Sequence, residues 1–139
     1  MEAVGGVALI GGAGLPSNVR RFAQLMCFSV VLGFTGAVML NWHLPGDAFR
    51  EAALFAGAIS AVLLLFTWLI AGWHANWARW ALLTVYLLGL IGYVYDPAIL
   101  ADANWRVMPL AIAQAGIQAI ALLLIFTGNG AAWFRTRKN

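Results

Sequence analysis

Four long apolar stretches, separated by short connections that hold nearly all of the charged side chains, constrain this chain more than any other feature of its sequence. They run from about Phe22 to Trp42, Ala52 to Trp73, Trp77 to Tyr95 and Val107 to Thr127, and only Arg79, one turn into the third, interrupts them with a charge. A helix rises about 1.5 Å per residue, so roughly 20 apolar residues cross a hydrocarbon core of about 30 Å. Each stretch meets that length, and the expected fold is all-α, an integral membrane four-helix bundle. Charged residues make up 9% of the chain against 63% hydrophobic ones. A soluble domain carries about a quarter charged residues, so most soluble folds are excluded. Four spans and their connections consume nearly all of the 139 residues and leave no room for a soluble catalytic domain.

Local chemistry sets the boundaries. Residues 1–19 form a glycine-rich segment (Gly5, Gly6, Gly11, Gly12, Gly14) expected to be interfacial or disordered, because its apolar piece is too short to span. No Lys-Ser or Lys-Thr follows these glycines, which excludes a phosphate loop. Glu2 is the one charged residue among the first eighteen, so no cleaved signal is expected. Residues 20–139 form the four-helix transmembrane domain. Pro45-Gly46, His74-Ala75-Asn76 and Asp96-Pro97 divide the spans, Pro109 occupies a first turn, and Gly128-Asn129-Gly130 ends the last helix.

The basic residues give an orientation. Arg20, Arg21, Arg79, Arg135, Arg137 and Lys138 fall on one side, and Arg50 and Arg106 on the other with Asp47, Glu51, Asp96 and Asp102. The positive-inside rule then puts both termini in the cytoplasm. Interfacial anchors agree: Trp73, Trp77, Arg79, Trp80 and Trp133 belong to the inner face, Trp42 and Trp105 to the outer. The basic excess forms no stripe or patch, so no nucleic-acid partner is expected.

Gln114 and Gln118 are the clearest polar feature at membrane depth. Four residues apart, they share one face of the fourth helix. Counting along alternating helix directions brings Gln114 level with Thr35 and Ser60, while Ser29, Thr67 and Thr84 form a second polar layer nearer the cytoplasm. These residues make helix–helix hydrogen bonds or, on a second reading, line a hydrophilic path. Small residues repeat every four positions in the second helix (Ala53, Gly57, Ala61) and the fourth (Ala111, Ala115, Ala119), which suits close helix packing within or between chains. Gly33 and Gly36 are candidates for a flexible point in the first helix.

Several chemistries are disfavoured. His43 and His74 belong to opposite membrane faces and cannot share a metal, and Cys27 has no partner for a disulfide or zinc cluster. No nucleophile, base and orienting group come together, so no catalytic residue, metal or cofactor is expected. No ionisable group lies at membrane depth, against the usual requirement of proton-coupled transporters. Small multidrug exporters need a carboxylate in their first helix, and residues 25–40 contain none. The acidic outer loops lack the ligand spacing of a cation site.

Val19-Arg20-Arg21-Phe22 with Leu25-Met26, Asn76-Trp77-Ala78-Arg79-Trp80, and Phe126-Thr127-Gly128-Asn129-Gly130 followed by Ala132-Trp133-Phe134-Arg135 together resemble a group of uncharacterised small four-span proteobacterial membrane proteins. Gln114 and Gln118 sit where that group also carries glutamine. The resemblance covers the chain from about residue 18 and implies a bacterial inner-membrane location and a four-helix bundle; it carries over no activity. The functional expectation is an accessory or assembly subunit of a larger membrane complex, or a homo-oligomer. Its partners would be the lipid bilayer and other membrane protein subunits or further copies of itself. A small transporter or channel is the alternative.

Overall fold

A computed structural model describes residues 14–95, 105 and 107–135. All regular structure among them is helical: α1 (Ser17–Asn41), α2 (Gly46–Trp73), α3 (Asn76–Tyr95), α4 (Met108–Phe126) and a short α5 (Gly128–Trp133). Helices α1, α2 and α4 are long and apolar enough to cross a membrane. Residues 1–13 of the glycine-rich segment, the outer-loop residues Asp96, Asp102 and Arg106, and the basic residues Arg137 and Lys138 lie outside the described residues.

Helices α1, α2 and α3 begin before the apolar stretches that announce them, while α4 falls one residue short of its stretch at each end. Helix α1 begins at Ser17, because Pro16 holds an extended backbone (φ −54°, ψ 145°) and its carbonyl accepts the Arg20 N–H at 3.0 Å. Helix α2 begins at Gly46 for the same reason at Pro45 (φ −55°, ψ 150°), which puts Asp47 in its first turn, where the helix dipole favours an acid. Hydropathy marks where the hydrocarbon ends; proline and capping geometry mark where the helix ends. Helix α2 stops at His74, a left-handed residue (φ 56°) whose N–H reaches the Leu69 carbonyl.

Helix α1 packs along α2 and α4, and α3 lies against α2 and α4 with much less contact. Asn18 Nδ2 donates to the Thr127 carbonyl (3.3 Å) and Asn129 Nδ2 to Ser17 Oγ (3.0 Å), which ties the start of α1 to the end of α4 and sets the two antiparallel. The buried face of α1 (Val19, Phe22, Ala23, Met26, Val30) follows the three- and four-residue steps of a helical stripe. It meets Ile70 and Ala71 of α2, Ala78 and Leu82 of α3, and Ala121, Leu122 and Ile125 of α4. This core occupies one end of the bundle. Arg20, Arg21, Arg79 and Arg135 gather around that end, whereas Asp47, Arg50 and Glu51 stand at the start of α2, at the other.

Helix α5 closes the packed end. Thr127 is extended (φ −121°, ψ 158°) and Gly128 has φ +55°, so the chain breaks from α4 and turns back on it. The glycines that the sequence assigns to a helix terminus therefore also start a new helical turn. Gly130 is buried: a Cβ there would collide with the Leu124 carbonyl oxygen and stand 3.1 Å from Ile125 Cα. Around the outside of the bundle, large apolar side chains such as Phe28, Leu65, Leu88, Ile112 and Leu123 are exposed. An outer surface so apolar fits a lipid environment better than water.

Candidate functional site

Gln114, Gln118, Ser29 and Tyr86 gather on the seam where α4 faces α1 and α3. Gln118 Nε2 donates to Ser29 Oγ across the α1–α4 interface at 3.4 Å, and the buried Ser29 hydroxyl donates to the Met26 carbonyl at 2.9 Å. One helical turn further along α4, Gln114 lies directly over Gly33. A Cβ on Gly33 would stand 2.8 Å from both Cδ and Oε1 of Gln114 and closer still to Nε2. The missing side chain at position 33 is what lets the carboxamide enter the interface. Gly33 has a packing role here, where the sequence offers flexibility as its use.

Two cavities meet at this amide. A central one of about 330 Å³ takes walls from α1 (Met26), α2 (Ile59, Leu63), α3 (Leu82, Val85, Tyr86) and α4 (Gln114, Gln118). The second, about 390 Å³, lies between α1 and α2 and runs toward Asn41, with Gly33, Ser60 and Gln114 in its lining. Ile59, Leu63 and Gln114 border both. Gln114 forms no hydrogen bond among the described residues, although it is half-buried in apolar surroundings.

The other sequence candidates divide by azimuth. Ser60 shares a cavity with Gln114, but its hydroxyl donates to the Ala56 carbonyl of its own helix at 2.8 Å. Thr35 is exposed and lines neither cavity. It stands two residues from Gly33, about 200° around the helix, so matching depth puts it on the wrong side. In the second polar layer Thr67 is buried and bonds to the Leu63 carbonyl (2.8 Å), while Thr84 is exposed and bonds to the Trp80 carbonyl (3.0 Å).

Tyr86 belongs to this seam and the sequence reading does not single it out. Its hydroxyl donates to the Ala115 carbonyl at 3.0 Å and ties α3 to α4 beside the central cavity. The available signal was its place in the middle of α3, away from the interfaces where tyrosine is common.

The aromatic and basic anchors form two groups. At the packed end Arg79 sits over the rings of Phe134 (4.7 Å), Phe126 (5.1 Å) and Trp80 (5.9 Å), and its Nε is buried without a hydrogen-bond partner among the described residues. His74 stacks on Trp133 at 4.2 Å, Trp77 meets Phe66 edge-on at 6.1 Å, and Trp73 packs on Trp68 at 5.3 Å. At the opposite end Trp42 is exposed against Phe49 (6.0 Å), and Trp105 is exposed as well. Among the described residues no three of His, Cys, Asp and Glu come close enough to hold a metal.

No family model matches the chain, and neither curated proteins nor solved structures contain a significant match to it.

Proposed function

We propose that this chain is a four-span protein of the bacterial inner membrane, with both termini in the cytoplasm, that works through contacts with other membrane subunits or with further copies of itself. Helix α3 serves as the remaining span, its 20 residues reaching about 30 Å. The observation that carries the reading is the small-residue stripe of α2: no described residue lies within 4 Å of a Cβ built on Gly57, and Ala61, one turn on, is exposed. Helices that meet in lipid do so by backbone approach at such small residues, since lipid removes the hydrophobic drive between them. The chain leaves this stripe for a helix from elsewhere.

Extraction in a mild detergent followed by native gel and mass analysis tests the reading. The expected result is a stable assembly larger than one chain, lost in Gly57→Ile with Ala61→Ile. A single-chain species for the unaltered protein, with no co-purifying subunit, counts against it. A tag accessible only from the cytoplasmic side at each terminus is expected; an external C-terminus overturns the orientation.

A second reading, a small transporter or channel, draws on Gln114 bordering both cavities. Solute flux into liposomes that disappears when Gln114 and Gln118 are both changed to Leu, with assembly intact, would decide for it.

A further inference from the structure

We infer that the central cavity binds a small, neutral, lipid-soluble molecule whose single carbonyl or hydroxyl group meets the carboxamide of Gln114. The inference does not depend on the proposed subunit role. At about 330 Å³ the cavity falls at the small end of ligand pockets, which span about 300–1,000 Å³. Such pockets are apolar with a few placed polar groups, and this one has three: Gln114, Gln118 and Tyr86. Tyr86 spends its proton on Ala115, and Gln118 donates to Ser29. Gln114 keeps both its donor and its acceptor free among the described residues.

An unpartnered amide in apolar surroundings costs stability. Gly33 removes the side chain that would otherwise displace it, so the fold holds the amide in place at that cost. A ligand with one hydrogen-bonding head recovers the loss. A charged ligand is disfavoured by chemistry, because none of the described residues lining the cavity is an Asp, Glu, Lys or Arg that could compensate it. The apolar remainder of the lining, with Met26, Leu63, Val85 and Leu122, selects a hydrocarbon body.

The test uses the full chain in lipid nanodiscs and a diazirine derivative of 1-octanol, with the labelled residues mapped by mass spectrometry. Labelling is expected at cavity residues, saturable, displaced by 1-octanol and not by n-octane. Gln114→Leu should lower it on the order of tenfold, the loss of about one hydrogen bond. Gly89→Leu supplies an independent variant: Gly89 lines the cavity and no described residue stands within 4 Å of its Cβ position, so the new side chain has room to grow. It should lower labelling as well, and it alone decides if Gln114→Leu fails to fold. Absent labelling, non-saturating labelling spread over outward residues such as Leu65 and Leu123, displacement by n-octane equal to that by 1-octanol, or wild-type labelling in the folded variants would each overturn the inference.

Discussion

The carboxamide of Gln114 occupies the space that a side chain at Gly33 would fill, with its Cδ 2.8 Å from the position of the missing Cβ. This pairing of a glycine on α1 with a glutamine on α4 brings a polar group between the two helices with the most extensive mutual packing. It also makes the two positions interdependent.

Gly33→Ala should therefore push the Gln114 carboxamide aside at a cost of no more than about 1 kcal/mol, because the new methyl meets the end of a flexible side chain that borders two cavities. Gly116→Ala is the matched control, because no described residue lies within 4 Å of a Cβ there. It should leave stability unchanged or raise it by up to about 1 kcal/mol through helix propensity. Unfolding in SDS titrations of the purified chain reads both. Gly33→Ala combined with Gln114→Ala should recover most of the loss, since the smaller residue at 114 vacates the contested space.

The hydrogen bond between Gln118 and Ser29 is long at 3.4 Å, and a membrane interhelical bond averages about 0.6 kcal/mol in double-mutant cycles. A cycle built from Gln118→Leu and Ser29→Ala should give a coupling of that size. A coupling above about 2 kcal/mol would exceed what such bonds supply and would require a larger polar network.

Hydropathy made the apolar helices legible, and the four-residue spacing made Gln114 and Gln118 legible as a pair. Depth counting also brought Gln114 close to the right level on α1. It reached Thr35 instead of Gly33, because counting residues fixes height in a helix and leaves rotation open, and the two positions differ by about 200°. Tyr86 was hidden by a related ambiguity. A tyrosine in an apolar helix is an interfacial residue or a buried donor, and only the neighbouring Ala115 carbonyl distinguishes the two. The helical turn after Gly128 was illegible for another reason: glycine is the ordinary helix stop, and the packing of Gly130 on Leu124 and Ile125 is a tertiary contact without a local signature.

Gly130 and Gly128 test that turn in different ways. At Gly130 an alanine meets the backbone of α4, which cannot move aside as a side chain can. Gly130→Ala should release α5 and expose Trp133, read as a red shift in tryptophan emission and faster proteolysis after Phe126. Gly128→Ala faces the left-handed backbone at φ +55°, worth roughly 1–2 kcal/mol for a residue with a Cβ. Its effect should be smaller in emission and comparable in stability.

Arg79 offers the sharpest separation between charge and shape. Its guanidinium faces rings contributed by its own helix (Trp80), the end of α4 (Phe126) and the segment after α5 (Phe134), so it joins α3 to elements with which α3 otherwise shares little contact. A planar guanidinium stacks on an aromatic face, whereas an ammonium is a compact and strongly hydrated charge. Such cation–ring contacts are worth about 0.5–1 kcal/mol at exposed sites and up to about 2 when desolvated. Arg79→Lys keeps the positive charge and loses the stacked plane. It should lower stability by about 1–2 kcal/mol while leaving tag accessibility unchanged. Phe134→Leu should lower stability in the same direction, and adding it to Arg79→Lys should cost less than the sum of the two, because the ring and the guanidinium stabilise each other. Arg79→Lys at wild-type stability would leave the stacked guanidinium without a packing role.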